Sequence, residues 1–515
     1  VFEASKVAFS FYLLFGIAIY LLAKEKTERI AYLPFLRRLF THKIAWIVYL
    51  VGAVFWLWSG ALSMYFTGDD FTWLKWAAQS NISTIMTNFS SSEGFFYRPI
   101  PKLWYFVLYN VFWLTPVAYH VMSLILVCAT VYLLFTYLRL HNINWVYAFI
   151  ASLLFGTMSV HHENIFWVSG QSSLLAGFFA MLSLVFLEKS KTKRRTWTFW
   201  FVGSVVSILF SVLSYDGMAL LPLGFFALSL LAGHKGHSLW FFVVIALYGA
   251  IRLSSGAVAP SGDYAYNASK FVVNAAANTA SYIAAMALGP RAIEYAQNLR
   301  GNLKTFVVPL TLAVGAVCAA TLWLFWKYRK HFGGMKHAVC MGLMALLSLG
   351  AYAGLGGAAE RYGYVSSIFV VLFGAEVVWL SLKNSRNMTF KAIVCVVAAV
   401  LIGWNIAETK RLEGQWKFAG NVVEQSIMGI KSETFPPLNV KTIYIIDMPI
   451  RYGRAWIFPT GMTDALWHMF RDNPYTVTPA KDLKSAFAAP FRGDREVFIY
   501  ENYVLKRGTI YTKED

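Results

Sequence analysis

The chain has 515 residues, of which 58% are hydrophobic and only 14% charged; a soluble domain carries about 25% charged residues, so a soluble enzyme and a disordered chain are excluded. In so apolar a chain the formal charge of +19 belongs to loops on one side of a membrane, not to a nucleic-acid-binding face. The expected fold class is an all-α polytopic membrane protein of about 11–12 transmembrane helices, followed by a small C-terminal α/β domain.

Runs that can cross a hydrocarbon core, about 20 apolar residues each, are expected at 7–23, 45–65, 117–138, 144–160, 172–187, 197–213, 217–232, 239–253, 305–326, 338–356, 362–382 and 392–407. The first has no small-x-small cleavage site after it and reads as a membrane helix, with a basic loop, ahead of the main body. Alternation of these spans puts Lys24, Arg37, Lys189, Lys191, Arg195, Lys330, Lys336 and Lys383 on one side, which the positive-inside rule makes cytoplasmic. The other side mixes acids and bases. Two apolar stretches there, 103–115 and 271–288, would reverse every later basic loop if either crossed alone. Both are expected as interfacial or re-entrant helices.

The tail changes character. Residues 412–430 read as a short amphipathic helix, Pro436-Pro437 as a boundary, 442–447 as a strand, 463–471 as a helix, and 496–506 as a hairpin around Glu501-Asn502. The expected domains are 1–44 (an added helix and basic loop), 45–410 (the transmembrane body) and 411–515 (an extracytoplasmic α/β unit). Cys128, Cys318, Cys340 and Cys395 each sit in an apolar run without disulfide or zinc spacing, and read as small core residues. The absence of retention and disulfide signals points to a prokaryotic plasma membrane.

Acids at a membrane edge are costly and need a reason. Gly68-Asp69-Asp70 lies where the span 45–65 ends; its carboxylates suit a general base toward a hydroxyl, or a cap on the next helix. His161-His162-Glu163 follows the span 144–160 and can orient a base, cap a segment, or contribute to a divalent-metal site with Asp70. Arg361, in Glu360-Arg361-Tyr362, and Arg98, in Tyr97-Arg98-Pro99, can snorkel to headgroups or hold a phosphate by a bidentate contact. Asp216 is a lone acid between two spans, suited to partner an arginine.

Taken in order, these features resemble the polyprenol-phosphate-sugar-dependent glycosyltransferases of the GT-C fold. The order of Asp69-Asp70, Tyr97-Arg98-Pro99, Tyr119-His120, His161-His162-Glu163-Asn164-Ile165-Phe166-Trp167-Val168-Ser169-Gly170 and Ala359-Glu360-Arg361-Tyr362-Gly363-Tyr364 is most similar to the membrane part of the protein O-mannosyltransferase relatives that carry tetratricopeptide repeats. Those repeats are absent here, Gln171 and Ser173 stand where the relatives have Arg and Asp, and Ser366 stands in place of Pro. The resemblance implies an inverting transferase acting on the extracytoplasmic face. Its donor is a polyprenyl-phosphate-linked sugar, and its acceptor is a hydroxyl on a protein or glycan. It implies Asp69 or Asp70 as base. His161, His162, Glu163, Trp167 and Asp216 would line the sugar or acceptor pocket. Arg361 and Tyr362, helped by Arg98 and Arg252, would hold the lipid phosphate. A lipid phosphate keeps its negative charge on leaving, so an electrostatic clamp can take the place of a nucleotide-binding metal; a divalent metal at Asp70, His161 and Glu163 stays open as a cofactor. The competing readings are a transporter or flippase of lipid-linked glycans, and a non-catalytic membrane assembly protein.

Overall fold

A computed structural model of the chain describes residues 43–92, 94, 96–192, 195–231, 233, 236–258, 265–301, 335–383, 388–434, 442–471, 475–488 and 495–507. The expected spans 7–23 and 305–326, and nearly all of the N-terminal unit 1–44, lie outside the described residues.

The body is helical. In chain order it runs α1 (Lys43–Trp58), α2 (Asp70–Gln79), α3 (Ile82–Thr87), α4 (Pro99–Phe112), α5 (Pro116–Leu140), α6 (Trp145–Thr157), α7 (His162–Phe166), α8 (Gln171–Thr192) and α9 (Trp197–Ser214). It continues through α10 (Leu221–Leu231), α11 (Trp240–Ser254), α12 (Phe271–Leu288), α13 (Arg291–Gly301), α14 (Lys336–Ala353), α15 (Gly363–Leu382) and α16 (Met388–Thr434). Among the described residues nine helices are long and apolar enough to cross a membrane. The expected spans at 144–160 and 217–232 form shorter apolar helices.

Small polar side chains join the spans where lipid offers no hydrophobic drive between helices. Ser183 and Ser204 exchange hydroxyl-to-carbonyl bonds of 2.8 and 2.9 Å between α8 and α9, and Ser211 donates to the Ala176 carbonyl at 2.8 Å. Trp58 donates to the Gly156 carbonyl at 2.8 Å, binding α1 to α6.

Helix α12 is one of the nine by length and apolarity, yet both its ends bond to the same end of the bundle. In its first turn Asn274 donates to the Gly354 carbonyl at 3.3 Å, and at mid-helix Asn278 donates to the carbonyls of Ala353 and Leu355, each at 2.9 Å. At its finish Trp404 and Asn405 donate to the carbonyls of Leu288 and Ala287. The helix lies across the C-terminal end of α14 and against Trp404 and Asn405 in the lower half of α16, its asparagines satisfying carbonyls where α14 ends.

The composition shift near residue 410 falls inside α16, an unbroken helix of 47 residues, about 70 Å long at 1.5 Å per residue. The sequence Glu408-Thr409-Lys410-Arg411-Leu412-Glu413 holds strong helix formers and pairs of opposite charge one turn apart: Arg411 meets Glu408 at 2.6 Å and Lys417 meets Glu413 at 2.8 Å. The expected short helix at 412–430 is therefore the upper part of a membrane-spanning one.

Beyond it come β1 (Thr442–Ile446), β2 (Arg451–Tyr452), β3 (Ala455–Trp456), α17 (Met462–Met469), β4 (Thr476–Ala480), α18 (Leu483–Ala488), β5 (Arg495–Glu501) and β6 (Val504–Arg507). The four-stranded sheet has the order β4-β1-β5-β6, with β1 parallel to both neighbours and β5–β6 a hairpin. Strand β4, unexpected from the sequence, carries Pro479 and lies at the sheet edge, where a missing N–H is tolerated. The unit packs on the body rather than standing apart. Asp464 of α17 accepts from Lys75 and Thr72 of α2, both at 2.8 Å, and Phe418 of α16 lies 4.1 Å from the Tyr452 ring. Gly461, with φ 87, presses on the Gly68 carbonyl, so that a Cβ there would overlap it.

Candidate functional site

The chain turns at Gly68, whose φ is 48, and enters α2 through the two aspartates. They part company at once. Asp70 is 1% exposed and accepts three bonds: from the Thr67 amide at 3.0 Å, the Ser169 amide at 2.7 Å and the Ser169 hydroxyl at 2.6 Å. It ties the loop of α2 to the segment after α7. Asp69 stays half-buried, its carboxylate accepting from the Thr460 hydroxyl of the C-terminal unit.

Burial outweighs the donated bonds at Asp70 and lifts its pKa from 3.8 to about 7. The folded chain keeps this proton up to about 7, whereas the unfolded chain loses it near 3.8. Stability therefore falls as pH rises between those values and levels off above them. Against an Asp70→Asn variant, the wild-type melting midpoint in detergent is expected to lose ground steadily across that window. Parallel curves for the two proteins would remove the assignment.

Glu163 projects from the single-turn helix α7 and is wholly buried. It accepts from the Arg361 amide at 3.0 Å and the Trp456 indole at 2.7 Å, and the Arg361 guanidinium stands 3.5 Å away. Burial pushes its carboxyl up, but the guanidiniums of Arg361 and Arg451 hold it below the usual range. Trp167 connects Glu163's surroundings with the aspartates. Its indole donates to the Thr67 carbonyl at 3.2 Å, its ring lies 5.9 Å from Trp456, and the Arg361 guanidinium sits 5.7 Å over it. Asp69, Asp70, Glu163, Trp167 and Arg361 thus gather at one end of the bundle.

The histidines do not join them. His161 turns into the helix core, its Nε2 2.8 Å from the Ser367 hydroxyl and its ring 4.9 Å from Phe155 and from Tyr364. His162 accepts from the Trp416 indole at 2.9 Å. Burial lowers both, His161 to about 3 and His162 to about 4, so both are neutral. Successive residues of a helical turn point about 100° apart, so the short turns at 159–166 send adjacent side chains in different directions. The expected metal set of Asp70, His161 and Glu163 is not assembled. Both carboxylates are taken by amide, hydroxyl and indole donors, and the imidazole by Ser367.

Arg98 and Arg252 are also placed differently from expectation. Both clasp Asp216, at 2.9 and 3.0 Å, and the Tyr248 hydroxyl donates to the same carboxylate at 3.0 Å. The three charges line a cavity of about 190 Å³ with Tyr266 and Tyr352. Tyr352 stacks on Tyr362 at 4.0 Å, which separates this cavity from Arg361 by two aromatic rings. Asp216 is an arginine partner, not a lining of the Glu163 site.

The sequence reading missed the roof. The hairpin β2–β3 lays Arg451, Arg454 and Trp456 over the site. Arg454 binds Glu360 and Glu294, each at 2.7 Å, while Arg451 stacks 3.2 Å over Trp456. The available signal was Arg451-Tyr452-Gly453-Arg454-Ala455-Trp456, a turn with cations on both sides. Gly453 has φ 57.

The fold defines a polytopic helical membrane protein with a C-terminal α/β unit docked on one end of its bundle. No family model matches the chain, and no curated protein matches it.

Proposed function

We propose that this protein is a GT-C-like glycosyltransferase that moves a sugar from a polyprenyl-phosphate donor to an acceptor hydroxyl at the extracytoplasmic face. The observation that supports it best is the convergence of a half-buried carboxylate, Asp69, with Trp167, Glu163 and Arg361 at one membrane edge. The basic residues Lys189, Lys191 and Lys383 lie at the ends of α8 and α15 remote from the site, which favours the extracytoplasmic assignment. In a prokaryotic cell the site then faces the envelope.

Asp69 takes the proton of the acceptor hydroxyl as its oxygen attacks the anomeric carbon. The bond from that carbon to the phosphate oxygen breaks, and the electron pair leaves on the polyprenyl phosphate. Attack opposite the departing group inverts the anomeric centre. Asp70 positions the base through Thr67 and Ser169. Arg361 neutralises the leaving phosphate as an electrostatic clamp. The lipid chain lies along α15.

The hairpin over the site favours a second reading, a non-catalytic assembly protein, because Trp456 and Arg454 already occupy Glu163 and Glu360. Purified protein supplied with labelled polyprenyl-phosphate sugars separates the two: transfer or release of the sugar supports the enzyme, and binding without turnover supports the assembly protein. In the enzyme, Arg361→Ala is expected to raise the donor KM by about 10- to 100-fold, the worth of one charged hydrogen bond, and the acceptor KM far less. The reverse order would reject the clamp. Arg361→Lys keeps the charge beside Glu163 and controls for folding.

A further inference from the structure

At the opposite end of the bundle three helices bring two imidazoles and a carboxylate together. His141 ends α5, His337 opens α14, and Glu376 projects from α15. Each offers one ligand atom, and these atoms lie within 4.8 Å of one another. The rings of His141 and His337 are 4.0 Å apart, and Nδ1 of His337 stands 2.5 Å from Glu376. A second carboxylate, Glu188 of α8, reaches to 3.0 Å from Nε2 of His141. Glu376 lies thirteen residues along α15 from Gly363, about 20 Å by helix rise, so the cluster is separate from the Arg361 site already described.

We propose that His141, His337 and Glu376 bind a divalent transition-metal ion, with zinc the best match to two imidazoles and a carboxylate. Three features support this. Glu376 is 7% exposed within a membrane-spanning helix, a costly place for an acid without a strong partner. Among the described residues Lys191 meets Glu188 at 2.6 Å, and Glu376 meets no lysine or arginine. Two carboxylates beside two imidazoles are a donor set suited to a dication. The outer partners are also of the kind that fix a metal-bound ring. The Tyr137 hydroxyl holds Nε2 of His337 at 2.7 Å, leaving Nδ1 toward Glu376. The ion would clasp the end of α5 to the consecutive helices α14 and α15, about 200 residues further along the chain, and its role is structural.

The test uses the full chain in detergent, stripped with chelator, equilibrated with zinc and then dialysed. Wild type is expected to retain one zinc per chain and to melt higher with zinc than without. Cobalt in its place is expected to give the strong visible bands of a four-coordinate N/O site. His337→Gln and Glu376→Gln should each abolish retention, and Glu188→Gln, which leaves the three ligands, should weaken zinc by about 10- to 100-fold. Wild type that retains no zinc, or retains as much as the His141→Gln/His337→Gln double variant, would overturn the proposal and leave a hydrogen-bonded histidine–glutamate cluster only. Because the cobalt spectrum is read on wild type, misfolding of a variant does not remove the test.

Discussion

Replacing Asp69 by Asn is expected to lower sugar transfer by about 10²- to 10⁴-fold, the usual contribution of a positioned general base, while donor binding and melting temperature stay near wild type. The expectation rests on the contrast between two adjacent carboxylates. Asp70 has no room for substrate: it is buried, and its oxygens already accept three bonds. Asp69 keeps one face open and is bonded to Thr460, a side chain that can rotate aside. An amide at position 69 retains size and the ability to accept from Thr460, but cannot take a proton. Loss of activity in Asp69→Asn with the fold preserved identifies the base; full activity there, measured as transfer from a polyprenyl-phosphate donor, would remove Asp69 from the chemistry. Asp70→Asn is expected to act through the loop, altering stability as well as rate.

The largest stability effect is expected at Arg454. Its guanidinium bridges Glu360, which is 3% exposed, and Glu294. Arg454→Ala removes the cation bonded to buried Glu360; burial and nearby Glu163 already raise that carboxyl to about 7, so it takes up a proton and the cost stays below the about 3–5 kcal/mol of a buried charge left unpaired. The thermal midpoint should fall markedly, and the C-terminal unit should become accessible to protease while the transmembrane body stays intact. Lys506→Ala makes the comparison, because Lys506 and Glu501 are both more than half exposed and such pairs contribute about 1 kcal/mol or less. Equal, small losses in the two variants would show that the Arg454 bridge does not hold the roof in place.

The spans were legible because unbroken apolar runs leave a helix as the only way to satisfy the backbone in lipid. The acids of the site were legible for a related reason: Asp69, Asp70, Glu163 and Asp216 are conspicuous where charge is expensive. What the sequence could not give was direction. His161 and Glu163 are two residues apart, yet one enters the core and the other meets the C-terminal unit. Arg98 and Arg252 were read as phosphate ligands, but the fold brings Asp216 between them, and an arginine's nearest acid cannot be read from linear spacing. Arg451 and Arg454 were passed over because cations are ordinary in a polar tail. The break at residue 410 was drawn on composition, whereas helix propensity and paired charges carry the helix straight through it.

That last feature has a mechanical consequence. Since Met388–Thr434 is one continuous rod, the height and azimuth of the hairpin above the membrane are set by a residue count. Adding four residues near Gly414 would lift everything beyond it by about 6 Å and swing it by about 40°, carrying Trp456 off Glu163 without altering either residue. The lever that seats the cover begins at the far end of the bundle, so movement of the lower segment of that rod is transmitted to the chamber beside Gln415, Trp416 and Phe418.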